Sequence, residues 1–159
     1  MIEKYLLVFF ISMVPLIELR GAIPIAVAML DLEIIPAAVV CAVGNLIPVP
    51  LIYLYAQKFL LWGAEKPPIA SFCRFCLKKG EKAEKKLSEN KSRKRHVMTA
   101  LALFVGIPIP GTGAWTGTLG ASFLKLGLKE TGLSVLTGVV IAAFLMVSLS
   151  MAGIHVFGF

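Results

Sequence analysis

The chain has 159 residues, 58% hydrophobic and only 16% charged, with a mean hydropathy of +0.86, which is too apolar for an ordinary soluble domain of this length. Its formal charge of +7 does not argue for a nucleic-acid partner, because the basic residues concentrate between Lys58 and Arg95 and leave the apolar stretches nearly bare. Composition points to an integral membrane protein with one basic loop facing anionic headgroups, a loop expected to be cytoplasmic.

Residues 5–30 are apolar apart from one break, Pro15-Leu16-Ile17-Glu18-Leu19-Arg20-Gly21-Ala22-Ile23-Pro24. A carboxylate or a guanidinium costs roughly 2.5–3.5 kcal/mol in hydrocarbon on insertion scales, so a chain that keeps both there is expected to use them. Ala26-Val27-Ala28 has the small-x-small form of a signal-peptidase site, but Glu3-Lys4 gives the start no net charge and Glu18 and Arg20 interrupt the approach. An uncleaved start is expected. Asp31-Leu32-Glu33 marks a membrane edge, and residues 34–56 form an apolar run of spanning length. Within it Asn45, with Pro48 and Pro50, is either a partner to a site or a kinked packing position. Tyr53, Tyr55 and Trp62 read as interfacial belt aromatics.

The segment from Glu65 to His96 carries an amphipathic pattern, with Ile69, Phe72, Cys73, Cys76 and Leu77 on one side before Lys78-Lys79, and is expected to lie on the inner leaflet. Cys73 and Cys76 form a single CxxC with His96 as the only histidine of the loop, short of a four-ligand site. They read as reduced thiols and Cys41 as a packing residue; no metal and no cofactor is expected. Lys91-Ser92-Arg93-Lys94-Arg95 reads as a headgroup-facing cluster rather than a nuclear signal.

Residues 98–124 are apolar around a second break, Ile107-Pro108-Ile109-Pro110-Gly111-Thr112-Gly113-Ala114-Trp115-Thr116-Gly117. Residues 125–130 mark another edge, and residues 131–157 are again long enough to span, with His155 expected at an interface. Sliding Pro15 onto Pro108 aligns the breaks and leaves Gly44 one place from Gly138. The chain therefore reads as a single membrane domain made of a first repeat (1–56), a basic cytoplasmic loop with an amphipathic helix (57–97) and a second repeat (98–159).

Charge placement fixes the expected topology. If both broken segments crossed the membrane, Lys125 and Lys129 would lie outside, against the positive-inside tendency. If both enter and return as re-entrant hairpins, Asp31 and Glu33 fall outside while Lys125 and Lys129 fall inside with the basic loop. The expected fold is all-α, with two inverted repeats, each a re-entrant helical hairpin plus a transmembrane helix. The arms at residues 5–17 and 22–30 would be roughly 20 and 14 Å long, too short for a ~30 Å core, so opposed hairpins would meet near its middle.

Where they meet, returning arms starting near Gly21 and Gly113 would aim free N–H groups and positive dipole ends inward. With Arg20 beside them, an anionic group such as phosphate or carboxylate is favoured over a quaternary ammonium. Gly111, Gly113 and Gly117 allow close backbone approach, Thr112, Thr116 and Thr118 supply hydroxyls, and Pro24, Pro108 and Pro110 either shape the site or only break helices. Glu18 is the candidate for proton coupling, unless Glu18 and Arg20 form a structural ion pair. Trp115 either stacks on a ligand or fills the gap between hairpins.

The two breaks together resemble the paired signature of the small multidrug export protein family, over nearly the whole chain including the basic loop. That family is similar in layout to the DedA or VTT superfamily, and the resemblance implies opposed re-entrant hairpins and translocation of polyprenyl phosphate or other lipids. The expected function is a proton-coupled membrane transporter of a small amphiphile with an anionic headgroup. The alternatives are export of cationic drugs, with Glu18 as the exchanging carboxylate, or a non-transporting scaffold. Ser/His/Asp spacing and a GxxxxGK[ST] loop are absent from the sequence, so neither an enzyme nor an ATP-driven pump is expected. The limited protein available to shield two irregular hairpins from lipid makes a homodimer the expected assembly.

Overall fold

The computed structural model describes residues 1–109 and 111–157, with side-chain surroundings described through residue 153. Regular structure among the described residues is helical throughout. α1 (Ile2–Met13) stops where Pro15 forces Val14 into an extended conformation (φ −73°, ψ 129°). The chain then reverses through left-handed Leu16 (φ 78°) and Glu18 (φ 49°) and enters α2 (Glu18–Ala28). This return begins three residues before Gly21, so two non-glycine residues carry the unfavourable backbone geometry.

α3 (Ile34–Leu46) and α4 (Pro48–Gly63) join through a helical Ile47, and Pro48 occupies the first turn of α4, where a proline N–H is not needed. Ile34–Gly63 is thus one apolar stretch of spanning length, and it runs beyond the expected end at residue 56 to carry Lys58 and Trp62. α5 (Ala70–Glu89) follows, then α6 (Lys91–Gly106), capped by Asn90, whose side chain accepts from the Arg93 N–H at 3.1 Å. α7 (Ala114–Phe123) returns from the second break, and α8 (Leu128–Phe157) contains the second stretch of spanning length, Leu128–Gly153.

The helices beside the breaks are short. With 12, 11, 16 and 10 residues, α1, α2, α6 and α7 are about 18, 17, 24 and 15 Å long against a hydrocarbon core of about 30 Å. α1 packs on α2 and α3, α2 and α3 pack on α8, α6 lies along α8, and α7 lies on α4. Val8, Leu19, Ile23, Cys41, Val105, Val135 and Val139 form the shared core. At Gly138 a Cβ would run into the Ala102 carbonyl and Val105, so the missing side chain sets how closely α6 and α8 approach.

A polar contact closes the first broken pair at its base, and ion pairs tie the second pair to its neighbours α8 and α5. The Lys4 ammonium donates to the Leu30 carbonyl at 2.8 Å, joining the start of α1 to the end of α2. Lys94 at the start of α6 pairs with Glu130 at the start of α8 (2.5 Å), and Lys125, just past α7, reaches Glu84 (3.6 Å) and Glu81 (3.9 Å) on α5.

Two aromatic expectations are corrected. Tyr53 is buried rather than interfacial, because its hydroxyl donates to the Leu126 carbonyl at 2.6 Å while its own carbonyl accepts from Ser122 Oγ at 3.0 Å. On α5 the packed stripe runs through Cys73, Gly80 and Leu87, and Phe72 points away with Phe75, both exposed. Tyr55 and Trp62 are exposed.

Candidate functional site

Glu18 and Arg20 make no ion pair with each other among the described residues, because each reaches across to the second break. The Arg20 guanidinium lies over the last turn of α6 and the loop beyond it. Its Nη2 donates to the carbonyls of Val105 (2.9 Å) and Ile107 (2.8 Å), and its Nη1 to the carbonyl of Ile109 (2.6 Å), the carbonyl of Thr112 and Thr112 Oγ1 (3.0 Å). A helix C-terminus leaves carbonyls unpaired and carries partial negative charge, so a planar cation with several donors is the matching partner.

Glu18 does the converse at the other end of the same break. It is 6% exposed, and its Oε1 accepts from the Trp115 N–H at 3.1 Å and its Oε2 from the Ala114 N–H at 3.3 Å. Those N–H groups open α7, where the helix dipole is positive. Gly113, directly before them, has an extended backbone, and a Cβ there would collide with the Glu18 carboxylate. Its small size, not its conformational freedom, is what this position needs.

Above these contacts lies a cavity of about 530 Å³ lined from both breaks and from α8. Glu18, Arg20, Gly21, Pro108, Gly111, Thr112, Trp115 and Thr116 all border it, with Pro15, Leu16, Ile17, Ile109 and Met146 completing a mainly apolar wall. Gly111 is left-handed (φ 84°), as the turn between Ile109 and Thr112 requires. The hydroxyls have internal partners: Thr112 Oγ1 lies 2.9 and 3.0 Å from the Ile109 and Ile107 carbonyls, Thr116 Oγ1 donates to Gly113 O (3.4 Å), and Thr118 Oγ1 donates to Ala114 O (2.5 Å).

Five of the residues named from sequence do not line this cavity. Pro24 sits inside α2, Gly113 lies behind Glu18, Gly117 is packed against Val105, Thr118 is fully buried in α7, and Asn45 is 1% exposed on α3 with its Oδ1 unpartnered. Pro110 lies outside the described residues. Sequence reasoning missed the Val105, Ile107 and Ile109 carbonyls and Met146. The breaking of α6 by Pro108 was the available signal that carbonyls near residue 105 would need a donor.

Compared with known families, residues 18–145 match the family model described as "Putative small multi-drug export protein", a range that takes in both breaks and the basic segment. No curated protein and no solved structure matches the chain.

Proposed function

The chain belongs to the small multidrug export family, and on that premise we propose that it is a proton-coupled membrane transporter whose substrate site is the cavity between the two breaks. The two broken pairs are read as re-entrant hairpins of inverted repeats. In support, Lys4 meets Leu30 at one base, while at the other Lys94 pairs with Glu130 and Lys125 reaches Glu84 on α5. The second set of contacts sits with the basic segment, which fits a cytoplasmic α5 by the positive-inside tendency.

The observation that carries the mechanism is the Glu18 carboxylate seated on the Ala114 and Trp115 N–H groups beside an open cavity. An anionic headgroup entering the cavity competes with Glu18 for those donors. A proton on Glu18 weakens its hold on them, since a neutral acid is the poorer acceptor. The headgroup then takes the α7 N-terminus, so one proton and one anion arrive together. Arg20 is a brace rather than a direct ligand in this scheme, because its four Nη hydrogens already face four carbonyls and a hydroxyl. The apolar wall suits the part of an amphiphile next to its headgroup.

The test is reconstitution in liposomes, comparing translocation of a polyprenyl-phosphate-type lipid with efflux of a cationic dye under an imposed proton gradient. Lipid-phosphate movement is expected to follow the gradient, and Glu18→Gln is expected to abolish that dependence. Glu18-dependent dye efflux without lipid-phosphate movement would overturn the anionic reading in favour of a cationic substrate.

A further inference from the structure

A second cavity of about 510 Å³ runs along the outer side of α4 and α7, walled by Pro48, Leu51, Tyr55, Phe59, Leu119 and Phe123. Its lining is apolar. Trp115 borders this groove and the Glu18/Arg20 cavity alike, so one residue is shared between a charged junction and a hydrocarbon-like groove. The same residue's backbone N–H holds Glu18, while its indole Nε1 is buried without a hydrogen-bond partner. An indole donor left unpaired in the interior is unfavourable, and only a rotation of the side chain toward one of the cavities would let it meet a substrate oxygen.

Resting on the transport reading above, we infer that the α4/α7 groove takes the hydrocarbon chain of the substrate and that Trp115 separates chain from headgroup. The occupant is therefore a single-chain anionic amphiphile rather than a free small anion. Pro48 to Phe59 covers about 16 Å of helix, the reach of a medium-length alkyl chain. Because lipid tails are as apolar as the groove wall, the chain gains little affinity there and is oriented instead.

The two tryptophans are Trp62 and Trp115, so Trp62→Phe leaves Trp115 as sole fluorophore, and Trp115→Phe gives a Trp62 reference for bulk quenching. The full chain in liposomes is titrated with dodecyl phosphate brominated near mid-chain. Expected is saturable quenching of Trp115 above the Trp62 reference, reversed by unbrominated dodecyl phosphate. Ala56→Leu, which fills the groove, and Leu51→Phe, which narrows it from its exposed rim, are each expected to reduce that quenching several-fold. Reversal by dodecyltrimethylammonium as effective as by dodecyl phosphate would support the groove while overturning the anionic headgroup. Quenching at the reference level, in protein that still moves lipid phosphate, would overturn the groove and leave the transport reading standing; so would quenching untouched by both groove variants.

Discussion

The break after α1 presents its charge on side chains, Glu18 and Arg20, whereas the break after α6 has no ionisable residue from Gly106 to Leu124 and presents its charge as backbone dipoles. The first has donors and acceptors on long side chains, and the second has an exposed helix end of each sign. The carboxylate meets the positive end and the guanidinium the negative end, so four groups that are each unfavourable in an apolar setting become a neutral set. Neither break is complete alone. That division explains why the two breaks have such unlike sequences.

The comparison can be broken most forcefully at Arg20. Arg20→Ala takes a charged donor from the Val105, Ile107, Ile109 and Thr112 carbonyls, of which Ile107 and Ile109 keep the Ile109 and Thr112 N–H groups, and a loss of about 3 kcal/mol is expected, read as a lowered midpoint in a detergent melt. Arg20→Lys is expected to recover only part of it, because an ammonium cannot span both sides of the turn as a planar fork does. If lysine restores full stability, the contact is a point charge and not a matched cap.

Glu18→Gln keeps one acceptor of two and loses the charge facing the α7 dipole, so a smaller loss of about 1–2 kcal/mol is expected in the same melt. A cost equal to that of Arg20→Ala would remove the asymmetry argued between the two ends. Gly113→Ala sharpens the point by geometry: the added methyl displaces the Glu18 carboxylate, and a loss of about 1–2 kcal/mol is expected. Combining it with Glu18→Ala should cost less than the sum of the two single changes, and strict additivity in that cycle would refute the collision. At the small end, Lys125→Ala removes exposed pairs with Glu81 and Glu84 and is expected to shift stability by no more than about 0.5 kcal/mol, less still at high salt.

The helical class, the two spanning stretches, the basic segment and both breaks were legible in the sequence, because charge and proline inside apolar runs have few explanations. The partners of the charges were not. Residues two apart on a helix face different directions, so Glu18 and Arg20 cannot readily pair within one turn and instead reach the two ends of a distant break. The carbonyls that receive Arg20 belong to valine, isoleucine and threonine, whose side chains say nothing of a backbone role. Tyr53 looked interfacial because a phenol beside a membrane edge usually is, while its acceptor, the Leu126 carbonyl, lies 73 positions away. Met146 had no signal at all, being one apolar residue in an apolar helix.

The contacts of Glu18 and Arg20 span 85 to 97 positions along the chain, and this separation has a consequence during synthesis. At about 5–20 residues per second, the acceptors of Arg20 leave the ribosome roughly 5–20 s after Arg20 itself. For that interval the nascent first half carries both charges without their final partners. Water or another protein must solvate Glu18 and Arg20 until the second half arrives. A chain truncated before residue 105 should therefore fail to reach the native packing of α2 and be cleared by quality control.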